Sequence, residues 1–279
     1  VLFVDEAGQV SLANALAVAP AAKSLVLIGD HRQLDQPLKG SHPDGAAVSA
    51  LEHLFAGQET ITADRGIFLA ETWRLCPSIC DFTSSSFYEG RLRPRAGLEH
   101  QRLVGTQGFD GAGLWCAPVP HTGNQSSSIE EVEAVTAIVD RLLAPGSSWV
   151  DAKGETKTLE AKHILVVAPY NAHVSLLASA LAKRKISVGT VDKFQGQEAP
   201  IVIYSMATSS PEEAPRGMDF LYSLNRLNVA TSRARCACIL VASPKLFEPE
   251  CRSVQHVRLA NAFCMYLELS KRVELGPNE

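Results

Sequence analysis

Short apolar runs alternate along this chain with segments of helical periodicity. Five runs lack polar alternation and predict buried strands at residues 1–4, 25–28, 164–168, 201–206 and 239–242. Such runs, rich in β-branched residues, are typical of parallel sheets that helices cover on both faces. Apolar residues at helical spacing follow Ser128, a good N-cap, and recur over 172–183 and 256–271. The pattern predicts an α/β fold with right-handed crossovers.

The order of these elements predicts two units with a boundary near "TADRGIFLAETWR". Two strands and a connecting helix precede this stretch, and a fuller α/β set follows it. Inside the second unit, the glycine-rich segment 105–125 predicts an irregular surface excursion. Residues 149–163 predict a polar hairpin or loop that leads into a core strand.

Composition limits the function classes. At 279 residues, with 46% apolar and 20% charged residues, the chain is long enough for two domains of ordinary globular character. No apolar run approaches the length of a membrane span, and no signal peptide is expected before the first strand. The formal charge of −4 gives no sign of nucleic-acid binding, so any such binding must depend on local patches.

The seven cysteines are odd in number and lack the spacing of a zinc site. Cys76 with Cys80, on one helix face, and Cys236 with Cys238, on one strand face, leave a metal site as an alternative. Neither pair has the C-x-x-C form. The sequence therefore favours reduced, buried cysteines in a cytoplasmic protein.

Acidic and amide residues follow the first two predicted strands. Asp5 and Glu6 come directly after the first strand, and Gln33 lies in the turn after the second. Ligands of α/β sheets bind at the carboxyl ends of strands, where an Asp can hold Mg²⁺ and a Glu can deprotonate water. A neutral amide there can contact a terminal phosphate oxygen. An ordinary polar turn is the alternative for each segment.

The stretch "ETWRLCPSICDFTSSSFYEGRL" offers groups for base and phosphate binding. Trp73 has a face on which a base can stack, and Arg74 has a planar fork suited to phosphate. Pro77 predicts the start of a helix. The later aromatic residues of the stretch are expected to pack against that helix rather than to bind a ligand: Phe82, Phe87 and Tyr88.

Two later stretches carry further polar groups at strand ends. Thr190, Gln195 and Glu198 lie between two predicted strands, where Gln and Glu can bond sugar hydroxyls or sugar-phosphate. In "LNRLNVATSRARCACILVAS", a helix leads into a core strand, and Arg233 at this junction can reach into a cleft as an arginine finger. A solvated Arg pair is the alternative, and it is favoured for Arg235.

Taken in order, these stretches resemble superfamily 1 helicases, in the branch shared by the nonsense-mediated-decay helicase and the replication nuclease-helicases. Motifs II to VI read "DEAGQ", "GDHRQL", "ETWRLCPSICDFTSSSFYEG", "TVDKFQGQE" and "NVATSRAR". One such motif can arise by chance, whereas five in order with family-like gaps are specific. Within the branch, the chain most resembles the helicase half of bacterial RecB-like nuclease-helicase fusions.

The resemblance implies catalytic and metal-binding roles for four residues. Asp5 resembles the Mg²⁺ ligand and Glu6 the general base that activates water. Gln33 matches the γ-phosphate sensor, and Arg233 resembles the arginine finger.

Five more residues have implied roles, which are catalytic for Arg74 and binding for the other four. Trp73 falls where the family often has a base-stacking Tyr, and Arg74 matches a phosphate-contacting Arg beside it. Glu198 resembles a ribose contact. Thr190 falls where motif V approaches the nucleic-acid backbone, with Gln195 as a second nucleic-acid contact.

The fold implied is that of P-loop NTPases with RecA-like lobes, in which helices flank parallel sheets. Residues 1–66 correspond to the C-terminal remnant of lobe 1, and residues 67–279 to a nearly complete lobe 2. ATP is expected between the lobes, and single-stranded DNA or RNA is expected to cross both. The resemblance implies an ATP-dependent DNA helicase or translocase, moving 5′ to 3′ by family analogy.

Several positions depart from the family pattern. His31 replaces a usual Pro, and Pro37 comes one residue later than is common. No G-x-x-x-x-G-K-[ST] phosphate loop occurs in the chain. The N-terminal remainder of the same protein is expected to supply it, together with a RecB-like nuclease domain in the fusion arrangement. A magnesium-dependent nuclease and a non-catalytic nucleic-acid-binding or scaffold module are alternative functions.

The missing phosphate loop generates a first prediction. The chain as given should not hydrolyse ATP at a useful rate, because that loop supplies the backbone N–H groups, Lys and hydroxyl that hold Mg·ATP. Isothermal titration with ATP and Mg²⁺, and an ATPase assay with single-stranded DNA, measure this. Micromolar binding with DNA-stimulated turnover would contradict it.

We further expect an unpaired sheet edge at residues 25–28. Residues 1–66 are expected to pack against the second unit or against another copy of the chain for stability.

Overall fold

The computed structural model describes residues 1–34, 43, 46–55 and 57–275. The described strands are, in chain order, β1 (Leu2–Val4), β2 (Leu25–Leu27), β3 (Glu71–Thr72), β4 (Arg93–Pro94), β5 (Arg102–Val104), β6 (Gly113–Pro118), β7 (Ser148–Val150), β8 (Thr156–Thr158), β9 (Ile164–Val167), β10 (Ser187–Gly189), β11 (Ala199–Ser205), β12 (Ala234–Ala242) and β13 (Lys271–Arg272). The described α-helices are α1 (Leu12–Val18), α2 (Ala50–Phe55), α3 (Pro77–Phe87), α4 (Ile129–Leu142), α5 (Asn171–Leu181), α6 (Gly217–Leu221), α7 (Leu224–Ser232) and α8 (Val254–Leu269). The predicted strands and the main predicted helices are confirmed, with ends shifted by a few residues.

A parallel six-stranded sheet organises most of the described chain. Its strand order is β10-β9-β11-β12-β6-β13, and every neighbouring pair is parallel. The middle strands β9 and β11 are buried along their whole length. Because both faces of these strands are covered, their sequences are continuously apolar rather than alternating. The predicted α/β class is therefore confirmed.

The two faces of this sheet carry separate hydrophobic cores. Along β11, Val202 and Tyr204 enter the core formed with α3, α6, α7 and α8. Ile201 and Ile203, the alternate residues, enter the core formed with α4 and α5. This alternation is the two-residue period of an extended strand. It gives a sheet with helices on both sides, the three-layer arrangement of doubly wound α/β folds.

Local signals place the helices. The Ser128 side chain accepts a hydrogen bond from the Glu131 N–H (3.1 Å) and caps α4, as its position in the sequence predicts. Helix α3 begins at Pro77, whose fixed φ suits the first turn. None of the described helices combines the length and apolar character that crossing a bilayer requires.

A separate parallel pair, β1 with β2, forms the N-terminal part, and α1 connects its strands. The two strand ends pack closely, since a Cβ on Gly8 would lie 2.6 Å from the Asp30 carbonyl oxygen. Among the described strands, β2 pairs only with β1. Its other edge is therefore unpaired within the described residues, as expected for residues 25–28. The following segment contacts the rest of the chain, where Arg91 Nη1 donates to Thr60 Oγ1 (2.6 Å).

Segment 105–125 corrects one expectation. Its residues 113–118 are not a surface excursion but strand β6, which pairs in parallel with β12 and is buried over most of its length. The short run "LWCA" lies between Gly and Pro, which are typical of turns. The sequence therefore did not predict a strand here. By contrast, the predicted hairpin at 149–163 is confirmed, because β7 and β8 pair antiparallel immediately before β9.

The cysteines are only partly as expected. Five are buried, but Cys251 and Cys264 are exposed, so the expectation of buried cysteines is wrong for these two. Helix α8 places Cys264 on its outer side, and Cys251 lies in the connection before that helix. Within the described ranges, no group of three or more His, Cys, Asp or Glu side chains is placed to hold a metal ion.

The layered core generates a stability prediction. Ile203→Ala should lower the free energy of unfolding by about 2–5 kcal/mol, because Ile203 is fully buried in the central strand and its truncation leaves a cavity. Ile129→Ala is the matched control, since that side chain is 66% exposed and should change stability by about 0.5 kcal/mol or less. Urea unfolding of the three proteins measures both. An equal decrease in the free energy of unfolding in both variants would show that burial of Ile203 in the central strand does not stabilise the core.

Candidate functional site

Two sheet edges supply the polar groups of the candidate site. Asp5 follows β1 and Asp30 follows β2 closely, so both lie at the carboxyl edge of the small sheet. Glu198 directly precedes β11 and Arg233 directly precedes β12, which places them at the amino edge of the large sheet. These edges meet, because Arg233 Nη2 donates to Gln33 Oε1 (3.1 Å). Residues 200 positions apart therefore share one site.

Arg233 is a buried cation with an unfilled donor. The residue is 3% exposed, and its Nε has no hydrogen-bond partner among the described residues. Burial and the nearby Arg74 lower the pKa of Arg233, while the charges of Glu6 and Asp30 act in the opposite direction. An Arg held in this state, with a donor still open, is suited to an anionic ligand.

Gln33 is oriented from both ends of its amide. Its Oε1 accepts from Arg233, and its Nε2 donates to Asp30 Oδ2 (3.1 Å). Asp30 also accepts from the Arg32 N–H (2.9 Å) through Oδ1. The turn after β2 therefore presents a neutral amide at a defined place beside the arginine.

A second cluster lies at the same amino edge. The Glu198 carboxylate accepts from Arg74 Nε and from Arg235 Nη2. Arg74 Nη1 also donates to the carbonyl of Ser232 (3.1 Å), the residue before Arg233. Burial raises the pKa of Glu198, but hydrogen bonds from the two arginines outweigh it and lower that pKa overall. Arg235 is thus ion-paired with Glu198, and its side chain remains 35% accessible.

Asp5 and Glu6 lie exposed at the tip of β1. The Glu6 N–H donates to Asp5 Oδ1 (2.9 Å), and Glu6 has a φ of 52°, a left-handed conformation uncommon for residues other than glycine. Such conformations concentrate at functional sites. Carboxylate oxygens are the ligands that Mg²⁺ prefers, so this donor set fits a magnesium ion.

Trp73 is exposed and lies under an arginine. Its side chain is 69% accessible, and the Arg95 guanidinium lies 3.5 Å from the ring centroid. Strands β3 and β4 pair in parallel just before these residues, and the Arg95 N–H donates to the Thr72 carbonyl (3.0 Å). This short ladder places the guanidinium against the indole.

Of the two residues expected to contact nucleic acid, Thr190 lies away from this cluster. Thr190 follows β10 at the carboxyl edge of the large sheet. Because β10 and β11 run parallel, the connection between them must cross to the amino edge, where Glu198 lies. Gln195 lies within this crossing, after a 3₁₀ turn at Asp192–Phe194. The structure therefore separates Thr190 and Glu198 to opposite edges of the sheet.

The motif III turn departs from the common pattern at His31 and Pro37. The His31 ring stacks on Phe55, with ring centroids 3.8 Å apart. Burial and the neighbouring Arg32 lower the pKa of His31 to about 4. The imidazole is therefore neutral at pH 7 and packs as an apolar group. Pro37 lies outside the described residues.

Sequence reasoning missed two polar residues of the site. Tyr88, expected only to pack, donates its hydroxyl to Asp30 Oδ2 (2.5 Å). Asn228 Nδ2 donates to the Arg32 carbonyl and to the Tyr88 hydroxyl, both at 2.8 Å. Asn is a poor helix former, so an Asn inside α7 is the signal that could have indicated a tertiary partner. Phe82 and Phe87 are buried and pack as expected.

Comparison with known proteins identifies the family. A family described as "AAA domain" matches residues 47–245. The chain belongs to the AAA domain family. The match and the relatives below confirm the resemblance to superfamily 1 helicases of the branch that joins nonsense-mediated-decay and replication helicases.

Three relatives illustrate this AAA domain. The chain is 28% identical over 261 residues to the DNA polymerase alpha-associated DNA helicase A of Schizosaccharomyces pombe, covering 86% of this chain and 36% of the relative. It is 27% identical to a regulator of nonsense transcripts 1 homolog of Arabidopsis thaliana, covering 89% and 20%. It is 22% identical to the DNA replication ATP-dependent helicase/nuclease JHS1 of the same plant, covering 88% and 19%. The chain thus spans about a third or less of their lengths.

The contact between Trp73 and Arg95 in this AAA domain is directly testable. Trp115 and Trp149 are buried, so acrylamide should quench mainly Trp73, and Trp73→Phe should remove most of that quenching. Arg95→Ala should increase it, because one face of the indole becomes open to solvent. Arg93→Ala is the control, because Arg93 is exposed and lies two residues before Arg95, and it should leave quenching unchanged. Equal quenching in the Arg95 variant would refute the stacking.

Proposed function

We propose that this chain is the C-terminal part of an ATP-dependent helicase or translocase that couples ATP hydrolysis to movement on single-stranded nucleic acid. The observation that carries the proposal is the hydrogen bond between Arg233 and Gln33. It brings the expected arginine finger to the expected phosphate sensor from two different sheets. A nuclease has no need of this pair, and within the described residues no group of three or more His, Cys, Asp or Glu side chains is placed to hold a metal ion.

Charge stabilisation at a terminal phosphate is the proposed role of Arg233. Its guanidinium is desolvated, and Nε has no partner among the described residues. A phosphoryl group in transfer spreads negative charge over its equatorial oxygens, and a fixed buried cation stabilises that charge. Gln33 would contact the same phosphate through its amide. Loss of the phosphate after hydrolysis removes the anion that both residues recognise.

Metal binding and water activation are assigned to the tip of β1. Asp5 would hold Mg²⁺, and Glu6 would accept a proton from the attacking water. When bound, the ion neutralises charge on the nucleotide phosphates. Both carboxylates are exposed, so neither has to break a buried contact to act.

Nucleotide recognition is assigned to the second cluster. Trp73 keeps a large accessible surface for base stacking, and stacking of this kind tolerates every base. Arg74 would contact phosphate, and Glu198 the ribose. The bond from Arg74 to the Ser232 carbonyl supports this grouping, since it holds Arg74 beside Arg233.

Nucleic-acid binding is assigned to Thr190, at the opposite edge of the large sheet, and to Gln195, in the connection that runs from this edge to Glu198. One continuous connection joins this edge to Glu198, so a change at the nucleotide can reach the nucleic acid through nine residues or fewer of backbone, about 30 Å when extended. We expect single-stranded DNA as the substrate, movement from 5′ to 3′, and RNA as the alternative substrate.

We also propose that residues 1–66 belong to one RecA-like lobe and residues 67–279 to a second. The phosphate loop, and in the fusion arrangement a RecB-like nuclease domain, would come from other parts of a cytoplasmic protein. The separate sheets support this division. An ATPase assay of the full-length protein, with and without single-stranded DNA, tests the proposal. DNA-stimulated turnover supports a motor, whereas binding without turnover supports a scaffold.

The finger generates a quantitative prediction. In the full-length protein, Arg233→Ala should lower kcat for ATP by about 10³-fold or more, as with other arginine fingers, and leave nucleotide binding largely intact. Arg184→Ala is the control, because Arg184 pairs with Asp140 outside the site, and its kcat should match the parent. Steady-state ATPase kinetics and fluorescent-nucleotide titration measure the two quantities. Turnover within a few-fold of the parent would remove Arg233 from the proposed role.

A further inference from the structure

A partly buried network of hydrogen bonds joins the turn after β2 to helices α3 and α7. The Tyr88 hydroxyl, at the end of α3, donates to Asp30 Oδ2 (2.5 Å) and accepts from Asn228 Nδ2 (2.8 Å). Asn228 Nδ2 also donates to the Arg32 carbonyl (2.8 Å). Asn228 is fully buried, and burial together with the Asp30 charge raises the pKa of Tyr88 well above its usual value. The phenol therefore stays protonated and remains a donor.

This network connects to both members of the Gln33–Arg233 pair. On one side, Asp30 Oδ2 accepts from Tyr88 and also from Gln33 Nε2 (3.1 Å). On the other side, Asn228 lies on α7, the helix that ends immediately before Arg233. Fixing Asp30 fixes the orientation of the Gln33 amide, and fixing α7 against the Arg32 carbonyl fixes the distance from Gln33 to the guanidinium.

We propose that Tyr88 and Asn228 are positioning residues that set the geometry between Gln33 and Arg233. The inference rests on the proposed function, because it assigns a purpose to that geometry. Neither residue reaches the nucleotide. Their hydrogen bonds hold the turn after β2 in a fixed position against helix α7. The Gln33 amide and the Arg233 guanidinium can therefore contact the same phosphate.

The aromatic ring alone does not account for Tyr88. The ring packs near Phe68 and Phe87, with centroids 6.1 and 6.5 Å away, and a Phe would make the same contacts. The hydroxyl adds only the bonds to Asp30 and Asn228. Removing it leaves the buried Asn228 amide and the Asp30 carboxylate each without one partner, so the turn after β2 can rotate away from Arg233.

The test compares two Tyr→Phe substitutions in the full-length protein. Tyr88→Phe should lower kcat for ATP by about tenfold or more, since small displacements of catalytic groups are costly. The KM for ATP should change by about twofold or less, because the lost interaction acts only in the transition state. Tyr204→Phe is the matched control: Tyr204 is 1% exposed, its hydroxyl has no partner among the described residues, and its kcat should match the parent. Asn228→Ala should reproduce the effect of Tyr88→Phe.

A double-mutant cycle separates positioning from a loss of folding. If Tyr88 acts through Arg233, adding Tyr88→Phe to Arg233→Ala should lower kcat by no more than about twofold further. A full additional tenfold loss in that background would overturn the inference, as would parent kcat in Tyr88→Phe alone. If Arg233→Ala itself leaves kcat unchanged, the proposed function fails. If Arg233→Ala is slow and Tyr88→Phe is not, only the positioning role fails.

Discussion

The structure depends on a buried guanidinium that lies against a neutral amide. Burying a cation without a charge partner is costly, and Gln33 offers Arg233 only a dipole. The nearby charges of Glu6 and Asp30 favour the charged form, but among the described residues neither carboxylate forms a salt bridge with Arg233. Retaining a cation in this condition is unfavourable for stability and favourable for binding an anion. Perturbed, desolvated charges of this kind are concentrated at functional sites.

The rest of the architecture holds that arginine at a sheet edge. Because all strands of the large sheet are parallel, every strand begins at the same edge, so Glu198 before β11 and Arg233 before β12 become neighbours. The small sheet has the opposite orientation, since its carboxyl edge faces the amino edge of the large sheet, where Arg233 lies. A turn after β2 can then reach a residue before β12. Parallel topology thus produces one composite site from segments far apart in sequence.

The sequence predicted five of the thirteen described strands, β1, β2, β9, β11 and β12, because buried parallel strands are continuous apolar runs. It missed β6, whose run "LWCA" is short and lies between residues that signal turns. It identified Gln33 and Arg233 from their positions at predicted strand ends and from the resemblance, but not their contact, since no local pattern indicates which residue each one pairs with. Tyr88 and Asn228 were missed for the same reason. A hydrogen bond across 140 residues leaves no periodic trace, and the one clue is an Asn inside a helix.

In the proposed function, the second cluster would couple sugar recognition to the arginines without requiring an ion pair to break. A carboxylate has about four lone-pair sites, and Glu198 uses one oxygen for Arg74 and the other for Arg235. A ribose hydroxyl can donate to the same carboxylate while both pairs persist. Arg74 is bonded in turn to the Ser232 carbonyl, next to Arg233. Movement of Glu198 toward a sugar would therefore shift Arg74 and, through one peptide unit, the buried guanidinium on which the site depends.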